Sequence, residues 1–146
     1  MAFTFGDTYF IASLVNGEYP DYHRIIPPFD ARAEVNLKDF EEAVRFVSPI
    51  SRDMSYQTIN FHFEGDTLEI FEEDPDIGKA DTSIPVKLEG DNISLTFNCN
   101  YIEDILKHSK GDVIILNLQK AGPIVIEQEE DKSYSYMLTP MRGRKY

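Results

Sequence analysis

The side chains best suited to metal binding or nucleophilic chemistry are few: three histidines, His23, His62 and His108, and one cysteine, Cys99. No two histidines have the i,i+4 spacing that places a zinc pair on one helix face, and a lone cysteine offers no thiolate pair. There is no Gly-x-Ser-x-Gly elbow and no glycine loop of the phosphate-cradling kind. The acidic stretch 72–81 resembles the start of a calcium loop. It fails in detail, because Lys79 stands where the loop needs its glycine and Pro85 where it needs a bidentate glutamate. A charged hairpin turn is the expectation there. The carboxylate pairs Glu41-Glu42 and Glu129-Glu130 are adjacent in sequence, so neither faces itself across a substrate as acid and base. No carboxylate sits in an evident apolar pocket that would raise its pKa, which argues against an acid-dependent hydrolase. The expectation is no catalytic residue, no metal, no cofactor and no enzyme.

Two other segments carry a different chemistry. Tyr19-Pro20-Asp21-Tyr22-His23-Arg24-Ile25-Ile26-Pro27 is a proline-bounded link with aromatics and one arginine. Tyr136-Met137-Leu138-Thr139-Pro140-Met141-Arg142 places two methionines and a proline at the end of the last strand. Methionine is flexible and polarizable, which suits a surface that accepts varied apolar partners. The residues alone leave a binding groove and locally filled core equally open.

Composition limits the partners. Twenty-six acidic against 14 basic side chains give a net charge of −12, which repels nucleic acid and anionic membrane at long range. That argues against a sequence-reading DNA binder and leaves room for one that holds a duplex topologically. Apolar residues make up 42%, enough to bury a core, and ten Phe, eight Tyr and no Trp lean towards sheet. Cys99 reads as a small buried hydrophobe in a reducing compartment. No apolar run approaches the ~20 residues of a membrane helix, and no basic-then-apolar leader opens the chain. The expectation is a soluble cytoplasmic protein with no membrane partner.

The elements that must position these segments follow from periodicity. Leu37, Phe40, Val44 and Val47 share one helix face, with Asn36 as N-cap and Pro49 expected to end or kink the helix. Ile102, Ile105 and Leu106 mark a second helix, with Asn98 as cap and Gly111 closing it. Period-two alternation gives strands at 59–63 and 68–71, joined by a Glu64-Gly65-Asp66 turn. Another runs through 84–88, where Pro85 suggests an edge or a bulge. Further strands fall at 93–97, 113–118, 124–127 and 134–138. His62 points out from its sheet. Residues 31–88 thus read strand, helix and three strands, and residues 91–140 read the same, so the expectation is an α+β domain with a pseudo-twofold repeat. Its two helices pack on one side of antiparallel sheets. Residues 1–28 stand outside the repeat as a strand pair joined at Gly6-Asp7, too small to be stable alone, like the tail of a preceding domain.

The link 19–27 and the Thr139-Pro140-Met141-Arg142 tail resemble the two signatures of the bacterial replicative sliding clamp, the β subunit of DNA polymerase III. Ala33-Glu34-Val35-Asn36, Asp74-Pro75-Asp76-Ile77-Gly78 and Phe97-Asn98-x-x-Tyr101 resemble that family in order and spacing. The resemblance implies a DNA-clamp domain at 29–146, with 1–28 the last strands and link of a largely missing middle domain. It implies a processivity factor of DNA replication without catalytic activity, part of a ring around duplex DNA. Its implied partners are the replicative DNA polymerase, clamp loader and repair proteins, which dock by short peptides, and a full-length clamp subunit or a second copy. By position the peptide groove would take Pro20, Arg24 and Ile25 from the link, Asn98 and Tyr101 from the second helix, and Pro123. Met137, Thr139, Pro140, Met141 and Arg142 would form its C-terminal wall. Lys38, Arg45, Arg52, Lys107 and Lys110 would face DNA, or else make ordinary surface pairs such as Glu103 with Lys107. Pro49 and Ile50 occupy the place of the family's subunit contact. The chain departs from the family in Thr139, where methionine is usual, in Pro49, and in the basic extension 143–146. A piece of a full clamp and a natural short form acting as a stand-alone peptide-binding or competitor module both fit these features.

Overall fold

The computed structural model describes residues 1–21, 24, 26, 28–53 and 56–141, with the side chain of Asp53 left aside. Two strands open the chain, β1 (Ala2–Phe5) and β2 (Thr8–Ile11), paired antiparallel around Gly6, whose φ of 55° suits the turn. All eight residues of this hairpin are exposed on both faces.

The repeat follows. Its first half is β3 (Ala31–Asn36), α1 (Leu37–Asp53), β4 (Thr58–Glu64), β5 (Thr67–Asp74) and β6 (Gly78–Gly90). The second is β7 (Ile93–Asn98), α2 (Cys99–His108), β8 (Val113–Leu118), β9 (Ile124–Gln128) and β10 (Tyr136–Leu138). Eight strands form one antiparallel sheet in the order β10-β9-β8-β3-β6-β5-β4-β7. The architecture is α+β, two helices with an antiparallel sheet.

The helices form where the sequence places them. Asn36 Oδ1 accepts the Asp39 N–H at 3.0 Å and Asn98 Oδ1 accepts the Asn100 N–H at 3.0 Å, which caps both N-termini. The stripe Leu37, Phe40, Val44 and Val47 is buried, as are Ile102, Ile105 and Leu106. Phe61 joins the halves: its ring lies 5.5 Å from Phe40 of α1 and 5.4 Å from Phe97 of β7.

Three local expectations are corrected, and one, at Pro85, is met. Pro49 does not end α1, which runs on to Asp53. The carbonyl that its missing N–H would leave bare belongs to Arg45, and Ser48 Oγ donates to that oxygen at 3.4 Å. Pro85 stands at an edge position, as expected, since residues 78–85 pair with β5 on one side only among the described residues. β6 pairs with β5 up to Pro85 and with β3 from Val86 onward, so the proline stands where one strand changes partner. Gly111, at φ 86°, lies beyond the true end of α2, where Ser109 in an extended conformation donates to the Leu106 carbonyl. Finally, β5 continues to Asp74 before the hairpin turns, and Asp74 Oδ1 accepts the Asp76 and Ile77 N–H groups.

At the far end of β6, Gly90 has φ 111°, and a Cβ there would stand 2.4 Å from the Asp30 carbonyl oxygen. Gly90→Ala is therefore expected to cost about 2 kcal/mol or more, read as a lowered urea midpoint with an unchanged slope.

Candidate functional site

β10 ends in a tail whose residues alternate in role. Met137 is 41% exposed, Leu138 is buried in the core, Thr139 is exposed, and Pro140 and Met141 are half-buried. The Met141 N–H donates to the Thr96 carbonyl at 2.7 Å, an isolated antiparallel bridge onto β7. Two residues thus carry the chain from one edge of the sheet, β10, to the other, β7.

Beside that bridge lies a cleft of about 290 Å³ lined by Pro140, Met141, Asn60, Phe71, Ser94, Thr96 and Lys120, among others. Sheet register explains the grouping: Thr96 faces Met141 on one side and Asn60 on the other, and Asn60 faces Phe71. The polar members are fixed. Thr96 Oγ1 donates to Asn60 Oδ1 at 2.7 Å, and Asn60 Nδ2 donates to Glu72 Oε2 at 3.1 Å. Lys120 pairs with Asp91 at 2.7 Å, which raises the lysine's pKa. The cleft offers an apolar end and a hydrogen-bonding floor, the chemistry of a site for an extended chain with apolar side chains.

The remaining groove candidates fall around this tail or away from it. Ile124 faces Leu138 across the ladder, so Pro123 and Thr139 flank the same rung. Asn98 lies two residues beyond the Thr96 bridge, half-buried, with its side-chain oxygen committed to the α2 cap. Tyr101, one turn into α2, is 59% exposed. Pro20 and Arg24 are exposed in the link, where Arg24 Nε pairs with Asp21 at 3.3 Å, and neither lines the tail cleft. Ile25 and Arg142 lie outside the described residues.

The outer faces of the two helices meet in a shallow groove of about 290 Å³ lined by Glu41, Arg45, Arg52, Glu103 and Lys107 among others. Among its lining cations, Arg52 is matched by a carboxylate. Arg52 pairs with Glu103 across the helices at 2.6 Å, so Glu103 does not take the expected Lys107, and Lys38 lies 4.0 Å from Glu42. Lys107 and Lys110 are exposed, and the Lys110 N–H donates to the buried Gln128 side chain.

Near the other end of the sheet, Pro49 is exposed and Ile50 half-buried. Sequence reasoning missed their neighbour Phe46, 61% exposed, which lines a third cleft with Asp39, Glu42, Ala43, Thr82 and Ile84. The signal was available, since Phe46 falls off the buried stripe of its helix. Beside it the residues 78–85 of β6 pair with β5 on one side only, among the described residues. Glu72 was missed as well: only 2% exposed, it is a buried carboxylate in a segment that reads as solvated turn.

Cys99 is buried, and desolvation, helped by the Glu103 carboxylate, pushes its thiol up to about 11 from 9.0. The folded chain then holds a proton that the unfolded chain releases between those values. Stability is expected to fall as pH rises from about 9 to about 11, and Cys99→Ala should remove that part of the fall, measured by urea midpoints across the range.

Comparison with known proteins places this geometry in context. Residues 23–142 match the family model described as the DNA polymerase III beta subunit, C-terminal domain. The chain is similar to the beta sliding clamp of Staphylococcus epidermidis, 26% identical over 143 residues that cover 96% of this chain and 38% of that protein. It is similar to the clamp of Vibrio cholerae at 24% over 135 residues, 91% of this chain and 37% of that one. Among solved structures, the DNA polymerase III beta subunit of Thermotoga maritima superposes with a TM-score of 0.88 at 28% identity, covering 98% of this chain and 39% of that one. The Bartonella birtlesii sliding clamp bound to griselimycin gives 0.85 at 29%, covering 97% and 38%. This chain therefore spans about two fifths of the length of these relatives.

Proposed function

The chain belongs to the DNA polymerase III beta-subunit family, in the region of its C-terminal domain, and from that premise we propose that it is the partner-docking end of a replication clamp. In this reading it is a cytoplasmic processivity factor without catalytic activity. It contributes one domain to a ring around duplex DNA, and polymerase, clamp loader and repair proteins reach it through short peptides. The observation that supports the reading is the tail: Pro140 and Met141 line a cleft with Asn60, Phe71 and Thr96 where Met141 bridges onto β7, and Met137, Thr139, Pro123, Asn98 and Tyr101 would extend it. A solved relative of this fold is described as bound to griselimycin, which supports a ligand-accepting surface on such domains. Arg24, Ile25 and Arg142 would complete the groove from the link and the last residues.

The exposed β1–β2 hairpin supports the assignment of residues 1–28 to a neighbouring domain. A lone two-stranded ribbon with Phe5, Tyr9, Phe10 and Ile11 in water lacks a surface to bury them against. The open stretch of β6 and the exposed Phe46 support a contact with a full-length clamp subunit or a second copy. An unpaired strand edge beside an apolar side chain takes another strand in register. For DNA, the paired charges of the helix face and the net charge of −12 support loose, salt-sensitive contact at Lys38, Arg45, Arg52, Lys107 and Lys110.

A labelled peptide with a Gln-x-x-Leu-Phe-like motif is expected to bind the chain. Met137→Ala combined with Met141→Ala should weaken it at least about tenfold in fluorescence anisotropy, with an unchanged circular dichroism spectrum. Binding that survives the double substitution intact would remove the tail from the groove. Phe46→Glu should abolish co-elution with a full-length clamp subunit and leave peptide affinity unaltered; loss of both together would contradict two separate surfaces.

A further inference from the structure

The charges that line the groove between α1 and α2 do not cancel. Arg45, Arg52 and Lys107 stand against Glu41 and Glu103, which leaves a positive surplus inside a chain whose net charge is −12. The floor beneath them is apolar, because Val44 and Leu106 are buried. Helix geometry aligns the charges. Arg45 precedes Arg52 by two turns of α1, and Lys107 follows Glu103 by one turn of α2, so each pair shares a helix face. Arg45 and Lys107 are exposed and make no ion pair among the described residues.

Glu103 has a choice of cation. Lys107 is its i,i+4 neighbour, in the order that favours a pair along one helix, yet the carboxylate turns to the other helix and meets Arg52 Nη2 at 2.6 Å. The two partners are unequally covered: the Glu103 side chain is 26% exposed and that of Arg52 56%. The carboxylate is thus held in the groove wall, while the guanidinium keeps one side in water. A guanidinium presents its N–H donors in a planar fork that fits a carboxylate and a phosphate equally well. Glu103 therefore occupies a donor that a phosphate oxygen would otherwise use.

We propose that Glu103 is an internal stand-in for phosphate, which withholds Arg52 from a polyanion lying along the interhelical groove and so keeps the helix face's grip loose. The inference rests on the reading above in which this face meets duplex DNA. A carboxylate fixed on the facing helix is present at high effective concentration, so a phosphate must displace it before it gains Arg52. Salt screens the incoming phosphate more than it screens a short, partly covered pair. Contact then falls to Arg45 and Lys107, one exposed cation from each helix, which is too little to hold a duplex in place. A pair that served only to tie α1 to α2 makes a different demand. Its loss would lower stability and change polyanion binding no more than any other lost carboxylate of the groove.

The test is Glu103→Gln in the full chain, with affinity for a short labelled DNA duplex followed by fluorescence anisotropy over a range of salt. Glutamine keeps the size of the side chain and an acceptor oxygen, so the circular dichroism spectrum should not change. Binding is expected to tighten about tenfold at low salt, and the slope of log K against log salt to steepen by about 0.9, the increment of one more phosphate contact. Glu41→Gln removes the same charge from the same groove without freeing Arg52, and should give less than about twofold and no steeper slope. Adding Arg52→Gln to Glu103→Gln should cancel the gain. Equal gains from Glu41→Gln and Glu103→Gln reduce the effect to net charge and overturn the proposal. So does a gain that survives the loss of Arg52, and so does the absence of any gain. The DNA reading fails in a different measurement: assembly with a full-length clamp subunit that gives no retention on circular duplex removes it, whereas the Glu103→Gln gain on the short duplex, used there only as a polyanion, stands or falls by itself.

Discussion

The fold depends on a strand that belongs to two ladders. Residues 78–85 of β6 complete the ladder built on β5, and residues 86–90 complete the one built on β3. Pro85 sits at the exchange, where its missing N–H breaks no bond that either ladder needs. Because one strand serves both, the eight strands cannot separate into two flat sheets; they curl around the two helices. The Phe40–Phe61–Phe97 cluster fills the space so enclosed, and its rings come from α1, β4 and β7. The tail then crosses from the last edge to the first, and the cleft at Met141 exists only because that crossing brings β10 and β7 together.

Much of this was legible in the sequence for one reason: burial on one face imposes a period, and the chain keeps it. The stripe through Leu37, Phe40, Val44 and Val47 and the alternation of Ile59, Phe61 and Phe63 specify their elements outright, and all seven side chains are buried. The duplicated order of elements was legible for the same reason. Proline's effect depends on what its absent N–H would have bonded. At Pro49 a neighbouring serine takes up the exposed carbonyl and the helix continues. At Pro85 the missing donor coincides with a change of partner, a tertiary event that no local pattern encodes.

The candidate site was legible by residue type and hidden by register. Pro140 and Met141 stand out in the sequence, but their neighbours Asn60, Phe71 and Thr96 come from three strands and are selected only by ladder alignment. The same limit hid the Arg52–Glu103 pair, which joins residues from the two helices in preference to the i,i+4 partner that sequence suggests. Phe46 was the exception, visible as an apolar residue off the buried stripe. Glu72 shows the opposite failure: set in an acidic run, it is buried against Asn60, and charge composition alone gave no hint of it.

The charge distribution constrains how such a domain could work near DNA. A net charge of −12 opposes phosphate at long range, and on the helix face Lys38 and Arg52 are each paired with a glutamate. Contact of that kind is weak and salt-sensitive, too weak to retain a protein on a duplex by affinity alone. A closed ring needs no such affinity, because enclosure replaces binding; sliding is then helped by the absence of tight phosphate contacts. Docking makes the opposite demand, since a partner must stay held while the ring moves. In the function proposed for the chain, the two requirements would be met at separate places. Paired charges lie over the helices, while apolar and sulfur-bearing side chains, seated on a hydrogen-bonded floor, lie at the tail.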